Sequence, residues 1–122
     1  MVKLVFCLKR LPELSLAQFH DYWLNNHGPL VRSHADTFRI KRYVQTHTLD
    51  LAGLNQALAA SRAAPDAFDG VAELWWDSLE DLAHIANDPD AIAAGRLLLE
   101  DEKRFIDLAR SPLFWGVEHT II

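Results

Sequence analysis

Two short segments far apart in the chain, Val2–Lys9 and Gly70–Asp77, carry apolar side chains on both faces of a two-residue repeat. Val2, Leu4, Phe6 and Leu8 alternate with Lys3, Val5, Cys7 and Lys9. Val71, Glu73 and Trp75 alternate with Ala72, Leu74 and Trp76. A strand with one wet face reads apolar on alternate positions only, so these two segments predict central strands of a sheet. Arg39–Thr48 places Tyr43, Gln45 and His47 on one face and Arg42, Val44 and Thr46 on the other, the more polar pattern of an edge. Leu113–Ile122 predicts a fourth strand, with Trp115, Val117, His119 and Ile121 sharing a face.

Helices fill the intervals. Ser15 and Gln18 have the spacing of a capping box and open a helix that runs to Asn26. His27-Gly28-Pro29 predicts its stop, because Gly28 permits a helix-ending conformation and Pro29 has no amide proton to donate. A second short helical piece follows Pro29. Leu51, Leu54 and Leu58 place a short helix within the connection Leu49–Asp66. Ser78 is positioned to cap a helix with Asp81 at its third residue, and Asp88-Pro89 opens another that continues to about Ala109. The order is βαββαβ: an α+β, ferredoxin-like domain over residues 1–122, with a four-stranded antiparallel sheet and helices on one face.

That layout leaves one sheet face uncovered, although the central strands are apolar on both sides. A second copy related by a two-fold axis would cover it, giving a homodimer whose two sheets close into an alpha+beta barrel. The chain holds 122 residues, half of them hydrophobic, with a net charge of −5 and a single cysteine. The acidic balance and scattered short basic groups predict no nucleic-acid partner. No apolar run reaches the roughly 18 residues of a membrane span, and the amino-terminal run is too short for a signal peptide. Cys7 has no internal disulfide partner, which fits a cytoplasmic location.

The chemistry centres on His27. Phe19, Trp23 and His27 recur every four residues and fall within a strip about 80° wide, so an imidazole ends an aromatic face. Its charge can change near neutral pH, as a small-molecule site requires; alternatively it only bonds a carbonyl at the helix end. Tyr43, Gln45 and His47 share one strand face, as do Glu73 and Trp75. If both faces turn towards His27, they form an acid-base set with His27, Glu73, His47 and Tyr43 as catalytic candidates. Phe19, Trp23, Gln45, Trp75 and Trp76 are then the candidate ligand walls, although the aromatic residues serve packing first. No metal site is expected, since His20 and His27 lie about 10.5 Å apart along a helix. Nor is a nucleotide cofactor, since none of the five glycines forms a phosphate loop.

Leu4-Val-Phe-Cys-Leu-Lys-Arg10, Leu14-Ser15, Tyr22-Trp-Leu24 and His27-Gly-Pro-Leu-Val31 resemble the opening of EthD-domain proteins, within the dimeric alpha+beta barrel superfamily. Arg42-Tyr-Val-Gln-Thr-His47, Phe68 to Trp75 and Glu102-Lys-Arg-Phe-Ile-Asp107 extend the resemblance along nearly the whole chain, with Gly28 where Ala is frequent in the family. The resemblance implies the barrel fold, a hydrophobic oxygenated ligand such as an aromatic polyketide or lactone, and cofactor-free proton transfer of lyase, isomerase or oxygenase type. The alternative is a non-catalytic binding or accessory protein of an oxygenase catabolic pathway.

Overall fold

A computed structural model describes residues 1–122. Strands β1 (Val2–Leu8), β2 (Arg42–His47), β3 (Gly70–Trp76) and β4 (Leu113–Val117) form one antiparallel sheet in the order β2-β3-β1-β4. The two doubly apolar segments are therefore the central strands. In register, Phe6 lies opposite Ala72, and Ala72 lies opposite Gln45. One face consequently presents Leu4, Phe6 and Leu8 beside Ala72 and Leu74, with Tyr43, Gln45 and His47 continuing it to the β2 edge. Helical residues, Phe19 and Trp23 foremost, cover this face. The helices are α1 (Leu16–Tyr22), α2 (Gly28–Ser33), α3 (Ala35–Phe38), α4 (Leu54–Ala60), which buries no residue, α5 (Leu79–Asn87) and α6 (Pro89–Glu102). Phe6, Leu8 and Ala72 pack with Phe19, Trp23, Phe105 and Ile106 in the main core, and Phe38, Ala91 and Ala94 form a smaller one.

The Ser15–Gln18 capping box forms in both directions. His27-Gly28-Pro29, in contrast, does not stop the helix. Trp23–His27 is a π-helical turn: the Gly28 amide donates to the Trp23 carbonyl five residues back, and Gly28 continues in the right-handed helical region at φ −54°. Pro29 then falls in the first turn of α2, where a missing amide proton costs little. A π-turn inserts one residue into the helix, shifting the side chains beyond it around the axis. His27 thus lies within a continuous helical rod and is buried.

Three boundaries also differ from the sequence expectation. Helix α6 ends at Glu102, seven residues early, because the following backbone is drawn onto the end of β1. Leu11 N–H donates to Phe105 O at 3.0 Å, Asp107 N–H to Lys9 O at 2.8 Å, and Arg10 bridges Ile106. Strand β4 ends at Val117 because its partner runs out: Val117 pairs with Val2, the first residue of β1. Strand β2 starts late because Arg39 closes α3 in the left-handed region at φ 60°. Ser78 occupies its cap position without a side-chain bond, whereas Asp88 does cap α6 through the Ala91 amide at 3.0 Å.

Candidate functional site

The π-turn organises the site because its first carbonyl serves two partners. Trp23 O accepts the Gly28 amide and, at 2.9 Å, the Gln45 Nε2–H group, which ties the helical rod to the edge strand. A Cβ at position 28 would stand 3.1 Å from Gln45 Nε2 and 3.3 Å from Trp23 O, so glycine leaves room for this bridge. Gln45 Nε2 also donates to Tyr43 Oη at 2.8 Å, and Gln45 Oε1 accepts from His47 Nε2 at 2.8 Å. Because an amide oxygen only accepts, His47 carries its proton on Nε2. Because Tyr43 Oη accepts the Gln45 hydrogen bond, its own O–H remains available to donate. His47 is stacked on Trp23 with centroids 4.7 Å apart and lies 4.5 Å from His20. Burial and the neighbouring His20 charge both push the His47 pKa down. Burial pushes the Tyr43 phenol up, and the Glu102 carboxylate adds to the rise while the Gln45 bond opposes it.

On the other side of the rod, His27 Nδ1 lies 2.7 Å from Asp101 Oδ2, and Asp101 Oδ1 accepts from Tyr22 Oη at 2.5 Å. A carboxylate only accepts, so in neutral His27 the proton sits on Nδ1 and Nε2 is a bare lone pair. Nε2 makes no hydrogen bond, yet no fully buried polar side-chain atom lacks a partner. Nε2 therefore reaches accessible space although His27 as a whole is only 6% exposed. Burial lowers the His27 pKa and outweighs the opposing pull of Asp101, so the imidazole is neutral at pH 7. The ring rests 5.0 Å from Phe105. Beside Asp101, burial raises the Glu102 carboxyl to a pKa of about 7, with the Asp101 charge adding to the effect.

The expected convergence is partial. His27, Tyr43, Gln45 and His47 gather around the π-turn, linked on one side by Gln45 and on the other by the α6 carboxylates. Glu73 and Trp75 do not join them, because the register puts them on the opposite sheet face. There Glu73 pairs with Lys3 Nζ at 2.6 Å, while Trp75 bonds Glu118 through its indole N–H and lies 4.7 Å below the Arg42 guanidinium. Trp76 is on the helical face but six residues from Gly70, about 20 Å along the strand, where its indole donates to Phe38 O at 2.7 Å. Phe19 and Trp23 are at most 1% exposed and serve as core, offering no free surface to a ligand. Gly70 shows how closely: a Cβ there would stand 2.4 Å from the Trp23 ring.

Sequence reasoning missed Asp101, Glu102 and Tyr22. A signal existed: Asp101 and Glu102 stand four residues before Phe105 and Ile106, so the buried stripe, continued back one turn, carries two carboxylates. Outside the rod, a groove of about 890 Å³ runs between the helical segment and β2, lined by Leu24, Val31 and Ile40 together with Tyr43, Gln45 and His47. No three His, Cys, Asp or Glu side chains come together as one metal-ligand set. No helix is long and apolar enough to cross a membrane.

A family model for the EthD domain matches residues 11–109. The chain belongs to the EthD family. Among solved structures, it is similar to an EthD family protein from Bacillus halodurans, with a TM-score of 0.62 and 23% identity over 98% of this chain and 99% of that one. It is also similar to a dimeric, ferredoxin-like protein of unknown function from Bacteroides fragilis, with a TM-score of 0.59 and 11% identity over 96% and 95% of the two chains. An EthD-like protein from Ralstonia eutropha matches with a TM-score of 0.56 and 17% identity over 99% and 93%. At these identities the likeness establishes the ferredoxin-like α+β fold. No curated protein sequence matches the chain significantly.

Proposed function

We propose that this EthD-family chain is a single-domain cytoplasmic protein that binds a hydrophobic, oxygenated carbon compound and moves a proton on it without a bound cofactor, in a reaction of lyase, isomerase or oxygenase type. The observation that carries this reading is the His27–Asp101 pair: a buried neutral imidazole with Nδ1 held by a carboxylate and Nε2 bare. In that tautomer Nε2 is a general base. The free O–H of Tyr43 is suited to donate to an oxygen on which negative charge builds, and Glu102, titrating near 7, can hold or return the proton. A second reading draws on another observation. The groove reaches Tyr43, Gln45 and His47 but not the His27 ring, as a non-catalytic binding or accessory protein would have it.

An enolisable aromatic diketone, benzoylacetone, separates the two in D2O. Proton transfer predicts deuterium exchange at its central carbon in proportion to protein, seen by NMR, and a loss of about a hundredfold in His27→Asn with folding retained. Binding without exchange supports the accessory reading and ends the catalytic one.

The assembly belongs to the same proposal. The helix-free sheet face exposes or half-buries Val5, Cys7, Val44, Val71 and Phe114 around the Lys3–Glu73 pair, an area that a second copy would cover in a two-fold barrel. Light scattering at micromolar concentration tests it. A homodimer is expected, Val5→Asp should dissociate it, and a stable wild-type monomer would remove the barrel.

A further inference from the structure

The groove beside β2 differs in charge from the chain as a whole. The chain carries 17 acidic and 12 basic side chains, yet none of the 13 residues lining this groove is Asp or Glu, and three are Arg32, Lys41 and Arg42. Arg32 has no carboxylate within 4 Å, and Lys41 has only a loose, exposed approach to Asp77 at 3.6 Å. Arg42 turns away to stack on Trp75, so it adds to the local field more than to contact. At the groove of an otherwise acidic molecule, Arg32 thus stands without an ion-pair partner and Lys41 with only a loose one. The walls between them are apolar: Val31 is buried, Ile40 is half-buried and Leu24 is 56% exposed. The floor is the Tyr43–Gln45–His47 network.

We infer that this groove selects small organic acids, with Arg32 and Lys41 holding a carboxylate at the rim while Leu24, Val31 and Ile40 take an apolar body. A fully hydrated inorganic anion would leave those walls empty, and a neutral hydrocarbon would leave the cations with water. Only a molecule with both parts matches both surfaces. The guanidinium of Arg32 can meet a carboxylate with two parallel N–H donors, which is the geometry that distinguishes a carboxylate from an isosteric amide. The inference rests on the reading of this groove as the ligand site, but it does not require catalysis.

The test uses a matched pair, 3-phenylpropanoate and 3-phenylpropanamide, titrated calorimetrically into the full-length protein. The acid is expected to bind about tenfold or more tightly than the amide. Raising the salt from 50 to 500 mM should shrink that advantage, because the cations are exposed and the Debye length falls below about 5 Å. Arg32→Gln and Lys41→Gln should each reduce acid binding severalfold and leave amide binding unchanged. Lys103→Gln, outside the groove lining and paired with Glu100, should change neither. Equal affinity for acid and amide, absence of binding by both, or an acid preference that survives Arg32→Gln and Lys41→Gln together would each overturn the inference. Equal affinity leaves the function proposed above standing. Acid preference without deuterium exchange of benzoylacetone upholds the inference and ends only the catalytic reading.

Discussion

Two helical segments of this protein have the same sequence signature and opposite fates. Leu16–His27 places Phe19, Trp23 and His27 four residues apart, and Leu51, Leu54 and Leu58 do the same at spacings of three and four. The first segment buries all three residues to 6% exposure or less. The second leaves its three leucines 62%, 49% and 61% exposed, and α4 has no buried residue. Periodicity therefore specifies a helix with one apolar face, but not what that face meets. What separates the two is anchoring outside the stripe. The α1 rod is tied to β2 by the Gln45–Trp23 carbonyl bond and to α6 by Asp101, whereas the side chains of α4 make no hydrogen bond to a strand or another helix; Asn55 donates only to Leu49 O within the same connection.

The largest effect should come from loosening the anchored segment at its tightest point. Trp23→Ala empties the space above Gly70 and is expected to cost about 3–5 kcal/mol of stability in chemical denaturation. Gly70→Val attacks the same contact from below, where even a Cβ would stand 2.4 Å from the ring and 2.9 Å from Thr46 O. If either variant unfolds at the wild-type denaturant midpoint, the Trp23–Gly70 contact does not anchor the rod, and the contrast with α4 loses its basis.

His27 distinguishes anchoring from chemistry within that rod. His27→Ala leaves Asp101 with Tyr22 as its remaining side-chain hydrogen-bond donor, at a cost of about 1–3 kcal/mol. Its effect on deuterium exchange should reach about a hundredfold. A melting temperature lowered by much more than this, with exchange unchanged in the folded fraction, would make His27 purely structural.

How much of this could be read from the chain divides along the same line. The central position of β1 and β3 followed from apolar residues on both faces, which no exposed strand tolerates. Tyr43, Gln45 and His47 were legible as a group because a two-residue spacing fixes their common face. Glu73 was misplaced because parity within a strand does not say which face meets the helices; only the pairing of Ala72 with Phe6 and Gln45 decides that. The π-turn was illegible for a different reason. Gly-Pro is compatible both with a helix stop and with the first turn of a new helix, and the choice depends on Gln45, a tertiary partner 17 residues beyond Gly28. Asp101 and Glu102 are legible only through their register with Phe105 and Ile106, four residues on, because acidic residues near a helix end are compatible with solvent as well.

Glu102 gives a pH-dependent test of how firmly α6 closes over the rod. In the folded protein its carboxyl titrates near 7, whereas in the unfolded chain it returns to about 4.3. The fold holds a proton that the unfolded chain has released, so this contribution is full below about pH 4 and is lost as pH rises through 7. Glu102→Gln removes the ionisation and should stabilise the protein more at pH 8 than at pH 5, by about 1–3 kcal/mol after allowance for partial solvent access. His27 acts with the opposite sign: its lowered pKa withdraws stability as pH falls below about 6.5, so His27→Asn should flatten the acid side. Thermal melts of both variants across pH 5–8 would show whether the two groups titrate as buried neighbours. Equal shifts at every pH for Glu102→Gln would mean that its carboxyl is solvated and α6 does not seal the site.

The smallest effect is expected where the comparison began, on the exposed leucines. Leu54→Ser with Leu58→Ser removes both leucines of the stripe that lie within α4, yet both side chains already face solvent, so the pair should change stability by no more than about 0.5 kcal/mol and leave the helical signal intact. A loss of 2 kcal/mol or more that depends on protein concentration would mean that the stripe is covered in solution by another copy. The contrast between the two helices would then be one of partners, intramolecular for the first and intermolecular for the second. A loss of the same size without concentration dependence would instead place α4 against its own domain and contradict the exposure on which the comparison stands. Denaturant midpoints at 1 and 100 μM protein distinguish the three outcomes.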